Sequence, residues 1–98
     1  MDRKSVIDQL NSNKASLQAL GLARLSLFGS TARGNASEES DIDLAVTLGK
    51  NAKIDLFEFA AISEKLSRIL GSPVDLVVEP ARNARMQAQI DRDRLRVY

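Results

Sequence analysis

Residues 27–34 read LFGSTARG and residues 40–46 read SDIDLAV, and the rest of the chain is interpreted from these two segments. The first is an apolar run that stops at Gly29 and Ser30, which is typical of a strand that ends in a tight turn. The second indicates another strand. Asp41 and Asp43 point to the same face of that strand, because side chains alternate along extended backbone.

Two carboxylates on one face repel each other, so keeping them together needs a reason. The usual reason is a divalent cation between them, and carboxylate oxygens suit magnesium. The neighbouring Gly-Ser turn offers backbone N–H groups and a hydroxyl to phosphate oxygens. Together the two stretches indicate a site for a metal-bound nucleotide.

Composition excludes several classes of protein. We expect one domain over residues 1–98, since 44% hydrophobic and 28% charged residues are ordinary for a globular chain of this length. The net charge of +1 gives no general case for binding nucleic acid or membrane. The lack of Cys and His removes the preferred zinc ligands. Without a long apolar segment or a signal-peptide pattern, the expected location is the cytoplasm.

The spacing of apolar residues predicts three helices and three strands, with a turn or single helical turn over residues 30–39. The helices are 3–20, 53–70 and 81–93, and the strands are 23–29, 41–48 and 73–79. Residues 94–98 are either a short edge strand or simply an end. This order predicts an α+β fold, an α/β sandwich in which a small mixed sheet of three to four strands is covered by helices on one side.

Asp75 is a third acid, inside the apolar run 74–78. Taken alone it is more often a solvated strand residue, since an unpaired carboxylate is costly to bury. If the third strand lies beside the second, however, Asp75 shares a face with Asp41 and Asp43. Three carboxylates at one sheet edge are the parts needed for two-metal phosphoryl or nucleotidyl transfer.

The spacing of these residues resembles a known family. Gly29 and Ser30, ten further residues, and then Asp41-Ile42-Asp43 are similar to the defining motif of the polymerase-β-like nucleotidyltransferase superfamily. The longer string over 29–46 resembles the minimal nucleotidyltransferases, the small partners of HEPN-domain toxins. The resemblance covers residues 23–79 well and the two ends loosely.

The resemblance implies a role for each matching residue. Gly29 and Ser30 would hold the β- and γ-phosphates of a nucleoside triphosphate. Asp41, Asp43 and Asp75 would bind two Mg²⁺ ions and carry the catalysis, with Asp75 helping to deprotonate the attacking hydroxyl.

Arg33 lies where a family arginine follows the Gly-Ser turn. Its planar fork suits a phosphate of the nucleotide. A structural salt bridge to Glu38, Glu39 or Asp43 is an almost equal alternative.

The resemblance further implies transfer of AMP from ATP to a hydroxyl, that of a tyrosine, on a cognate HEPN toxin. The chain would then be the antitoxin of a toxin–antitoxin pair. One alternative is a binding module that neutralises its partner by occlusion without catalysis. Another is a nucleotidyltransferase for a small molecule, although nothing in the chain predicts an added lobe for such an acceptor.

The C-terminal segment is rich in charge. Its arginines could contact nucleic acid or an acidic partner, but mixed charge at helical spacing favours a solvated face. Aromatic platforms for stacked bases are also missing, so direct nucleic-acid binding is not expected. The residues concerned are Arg82, Arg85, Asp91, Arg92, Asp93, Arg94 and Arg96.

Overall fold

The computed structural model describes residues 2–35 and 40–98. In these residues a four-stranded mixed sheet has the order β3-β2-β1-β4, with β1 antiparallel to both neighbours and β2 parallel to β3. The strands are β1 (Leu22–Phe28), β2 (Ile42–Leu48), β3 (Val74–Val78) and β4 (Leu95–Arg96). The helices are α1 (Arg3–Ser12), α2 (Lys14–Ala19), α3 (Gly29–Arg33), α4 (Leu56–Leu70) and α5 (Ala84–Asp93). The predicted α+β fold is confirmed.

The main core lies between one face of the sheet and helices α1, α2 and α4. Alternate side chains of the two central strands supply that face, because successive residues of a strand point to opposite sides. The buried residues of this core include Val6, Leu10, Leu17, Leu25, Leu27, Leu44, Val46, Ile62, Leu66 and Leu70. We call this side of the sheet the helix-covered face.

Helix α4 makes the crossover that places β3 parallel to β2. It begins at the N-cap Asp55, whose carboxylate accepts the backbone N–H of Glu58, and it ends at Gly71 with a φ of 66°. A parallel pair needs such a crossover because a tight hairpin can join only antiparallel strands. The crossover brings Asp75 beside the second strand.

The predicted single helix over 3–20 is wrong: the chain forms α1 and α2, separated at Asn13. The backbone of Asn13 leaves the helical region at φ −108° and ψ 11°. Its side-chain amide donates to the carbonyl of Gln9 at 2.8 Å. Asparagine side chains compete in this way for backbone groups, which apolar spacing alone does not reveal.

The prediction that helices cover only one side of the sheet is also wrong. Helix α5 packs against the opposite face, where Ile90 is buried with Phe28 and Ala45, and Met86 packs against them. We call this side the site face. Asp43 on β2 and Asp75 on β3 also point to the site face. Asp43 lies two residues from Ala45 of this cluster, and Asp75 lies two residues from Val77, which packs against the cluster.

The chain end, left open by the sequence, contains the edge strand β4. Its residues pair with Ser26 and Leu27 of β1. The final residue, Tyr98, is buried, and its hydroxyl donates to the carbonyl of Leu22 at 3.0 Å. Across residues 2–35 and 40–98, none of the helices has the length and hydropathy needed to cross a bilayer.

Candidate active site

Asp43 and Asp75 lie directly opposite each other on neighbouring parallel strands. They are register partners in the β2–β3 pair, and partners in one register position point to the same face. Asp43 is half-buried, whereas Asp75 is exposed. Asp41 precedes β2, is exposed, and lies close enough to act electrostatically on Asp43. The structure therefore brings the three predicted acids into one neighbourhood.

The pKa of Asp43 is strongly perturbed by its surroundings. Burial raises its pKa from the ordinary 3.8 to about 6, and the negative charges of Asp75 and Asp41 add to this effect. Arg33 acts in the opposite direction, because its positive charge favours the carboxylate. A bound cation would relieve the same repulsion, so the electrostatics of the site favour positive charge beside Asp43.

Gly29 lies against the Asp43 carboxylate. Its φ is +77°, and a Cβ built at this position would collide with the carboxylate oxygen Oδ2. Only glycine satisfies both the left-handed backbone and the close approach. The turn from β1 into α3 thus passes directly over the acid, and Ser30, half-buried, follows it in the first turn of α3.

Arg33 forms an ion pair with Asp93, a partner that the sequence does not predict. Its Nη1 atom lies 2.7 Å from Oδ2 of Asp93, whose side chain is 4% exposed. Arg92 also donates to Asp93, and hydrogen bonds from Arg92 and then Arg33 hold the pKa of Asp93 below its ordinary value. Of the predicted alternatives, Asp43 forms no ion pair with Arg33 in the described parts of the chain, and Glu38 and Glu39 lie outside those parts.

The prediction of a solvated face for the C-terminal charges is therefore wrong at Asp93, which is buried beneath Arg33. Arg94 is exposed, as predicted, and forms two hydrogen bonds with the Glu79 carboxylate, at 2.8 and 2.6 Å. Arg33 and Asp93 are 60 residues apart in sequence, so no local pattern could have paired them. The only signal was the presence of acids within an arginine-rich segment.

The carboxylates supply the hard oxygen donors that Mg²⁺ prefers. Within residues 2–35 and 40–98, however, no group of three His, Cys, Asp or Glu side chains converges closely enough to hold one metal ion. Asp43 and Asp75 thus offer a pair of neighbouring donors, with Asp41 beside them. The donor chemistry and the mutual repulsion of the acids both fit a divalent cation.

Comparison with known proteins identifies the family. The nucleotidyltransferase domain family matches residues 8–98, almost the whole chain. The chain belongs to this family. A candidate protein adenylyltransferase of Methanocaldococcus jannaschii, MJ1379, is 39% identical over 70 residues, which are 70% of each chain. The protein adenylyltransferase MntA of Thermococcus cleftensis is 36% identical over 62 residues, or 63% of this nucleotidyltransferase and 61% of the relative.

Solved structures share the fold over nearly the whole nucleotidyltransferase. A candidate minimal nucleotidyltransferase has a TM-score of 0.78 and 30% identity, and the match covers 97% of this chain and 95% of that one. A toxin–antitoxin structure with AMP-PNP has a TM-score of 0.74 and 26% identity, covering 92% and 72%. The structure of the tri-AMPylated Shewanella oneidensis HEPN toxin in complex with MNT antitoxin has a TM-score of 0.64 and 26% identity, and the match covers 92% of this chain and 71% of that one. The predicted resemblance to minimal nucleotidyltransferases is confirmed.

Proposed function

We propose that this nucleotidyltransferase transfers AMP from ATP to a tyrosine hydroxyl of a cognate HEPN toxin, and so acts as the antitoxin of the pair. The single observation that carries the proposal is the register of Asp43 with Asp75 beneath the backbone of Gly29. Two acids and a glycine turn in this arrangement suit a triphosphate with its cation.

The proposed residue roles follow from position. Gly29 and Ser30 lie at the start of α3, where free backbone N–H groups and a hydroxyl can donate to phosphate oxygens. Asp41, Asp43 and Asp75 would hold Mg²⁺, two ions in the full reaction. Bound Mg²⁺ supplies charge neutralisation at the phosphate oxygens.

The transfer itself forms one bond and breaks one. The oxygen of the acceptor hydroxyl attacks the α-phosphorus of ATP, the bond to the β-phosphate oxygen breaks, and pyrophosphate leaves. Asp75, exposed on β3, is available to take the proton of the hydroxyl. Asp43 lies closer to the turn and would act mainly on the phosphates. Arg33, ion-paired with Asp93, would contribute its remaining donors to a phosphate.

The relatives support the choice of nucleotide and partner. Named relatives are protein adenylyltransferases, and one similar toxin–antitoxin structure contains AMP-PNP. Another similar structure contains a HEPN toxin that carries AMP.

The proposal is tested by label transfer. The chain is incubated with a HEPN toxin, Mg²⁺ and ATP labelled at the α-phosphate, and the toxin is isolated. We expect label on the toxin with the wild-type chain and none with Asp43→Asn or Asp75→Asn. Asp8→Asn, an exposed carboxylate on α1, is the matched control and should transfer normally. Replacing the labelled tyrosine by phenylalanine should abolish the transfer.

The same experiment separates the alternatives. A toxin that is inhibited but unlabelled would contradict the proposal and support a module that acts by occlusion. Label appearing only on an added small-molecule acceptor would contradict it in favour of a small-molecule transferase. Label that persists without Mg²⁺ would overturn the assignment of the cation.

A further inference from the structure

A polar cleft, with a volume of about 220 Å³, opens on the site face at the end of the sheet away from the three acids. Ala45 is part of its wall and is buried in one small cluster with Ile90 of α5. On β2 the lining comprises Ala45 and Thr47, two and four residues beyond Asp43, or roughly 7 and 13 Å along a strand, and none of the three acids lines the cleft. The cleft is therefore separate from the candidate active site. Its polar lining residues are Arg24, Ser26, Thr47, Glu79, Arg94 and Arg96.

The sheet register explains why these residues converge. Arg24 of β1 lies opposite Thr47 of β2, and Ser26 lies opposite Arg96 of β4. Arg24 and Ser26 are two residues apart on one strand, so both point to the same face. Three strands thus contribute polar side chains to one cleft, an arrangement fixed by backbone pairing.

The charges in the cleft are unevenly matched. Arg94 donates to both oxygens of Glu79 and also to Asp91, so its charge is already compensated. Arg24 and Arg96 are exposed, and neither has an ion-pair partner in the described parts of the chain. Two uncompensated guanidinium groups therefore face a cleft that also contains hydroxyls.

The lining chemistry selects an oxyanion. Ser26 Oγ accepts from Arg94 at 3.1 Å, which leaves its own proton free to donate into the cleft, and Thr47 supplies a second hydroxyl. Guanidinium forks and hydroxyls recognise tetrahedral oxyanions, whose oxygens can accept from several directions at once. The volume is below the roughly 300–1,000 Å³ of whole small-molecule sites, so a single group fits it best.

We propose that the cleft formed by Arg24, Ser26, Thr47 and Arg96 is a binding site for a phosphate group, distinct from the nucleotide site. The phosphate can be free inorganic phosphate or the terminal group of a phosphomonoester. The site does not depend on the proposed transferase activity, because none of its residues belongs to the three-acid neighbourhood.

The test is an NMR titration of the ¹⁵N-labelled chain with sodium phosphate, without Mg²⁺ and at constant ionic strength. We expect saturable shifts of the backbone amides of Arg24, Ser26, Thr47 and Arg96. A parallel titration with glycerol phosphate distinguishes a free phosphate from a phosphomonoester, and acetate tests whether a planar carboxylate suffices.

The variant Arg24→Gln/Arg96→Gln should weaken phosphate binding at least about tenfold, the effect of losing two charged hydrogen-bond donors. Arg82→Gln/Arg85→Gln removes two exposed arginines outside the cleft and should bind like the wild type. Arg24→Lys keeps the charge and the fold but loses the fork, so an intermediate affinity is expected. Shifts confined to Gly29 and Ser30, equal binding of acetate, or an unaffected double variant would each overturn the proposal.

Discussion

Replacing Asp43 by Asn should stabilise the folded protein at neutral and alkaline pH. In the folded chain, the pKa of Asp43 is raised from 3.8 to about 6 by burial and by the negative charges of Asp75 and Asp41. An unfolded chain keeps the ordinary value, so between these two pH values the folded protein binds more protons than the unfolded one. The free energy of unfolding therefore falls as the pH rises through this window, and the full cost of the charged Asp43 is present above it.

The size of the effect follows from the two pKa values. At about 1.4 kcal/mol for each tenfold change in proton affinity, the cost would approach about 3 kcal/mol for a fully buried group. Asp43 is only half-buried, and solvent screening reduces this to about 1–2 kcal/mol. Asn removes the charge but keeps the shape, so Asp43→Asn should recover that amount above about pH 7 and nothing below about pH 4.

The assay is urea denaturation across this pH range with a chelator present, because a bound cation would offset the repulsion. Asp8→Asn, which removes an exposed carboxylate on α1, is the control and should show no such pH-dependent gain. A variant Asp43→Asn that is no more stable than the wild type at about pH 8, or whose advantage is equally large at about pH 4, would contradict a raised pKa of Asp43.

Three further substitutions test separate parts of the structure. Gly29→Ala should lower the free energy of unfolding by about 1–2 kcal/mol or more and abolish nucleotide binding, because the φ of +77° and the contact with Asp43 exclude a Cβ. A stable variant with normal ATP affinity in calorimetry would contradict this prediction. Asp93→Asn should weaken ATP binding several-fold, because it releases Arg33 from its ion pair, and Asp93→Glu should restore part of the lost affinity. An unchanged Kd for ATP in Asp93→Asn would show that the ion pair does not position Arg33. Tyr98→Phe should cost about 1 kcal/mol in thermal denaturation through loss of its buried hydrogen bond, and no change in Tm would mean that the bond contributes nothing.

The sequence predicts the centre of this fold better than its periphery. The strands that carry Asp43 and Asp75 have strong apolar patterns, and their ends lie within a residue or two of the predicted positions. The adjacency of the two acids follows once the strands are neighbours. The crossover through α4 makes the two strands parallel neighbours, and their register then places Asp43 opposite Asp75.

What the sequence does not predict depends on contacts between distant residues. The position of α5 on the site face depends on where the chain returns after β3, and a polar helix anchored by Met86 and Ile90 fits either side. The ion pair between Arg33 and Asp93 spans 60 residues and has no local signature. The break at Asn13 depends on one side-chain hydrogen bond, to the carbonyl of Gln9, which competes with the backbone hydrogen bonds of the helix.

The most direct test of the candidate site uses Mn²⁺ as a paramagnetic substitute for Mg²⁺, together with a non-hydrolysable ATP analogue. Bound Mn²⁺ broadens the NMR signals of nuclei around it. We predict that the strongest broadening falls on the amides of Gly29, Ser30, Asp43 and Asp75, and that it disappears in Asp43→Asn/Asp75→Asn. Broadening centred elsewhere on the chain, or unchanged in that variant, would contradict the assignment of the metal–nucleotide site.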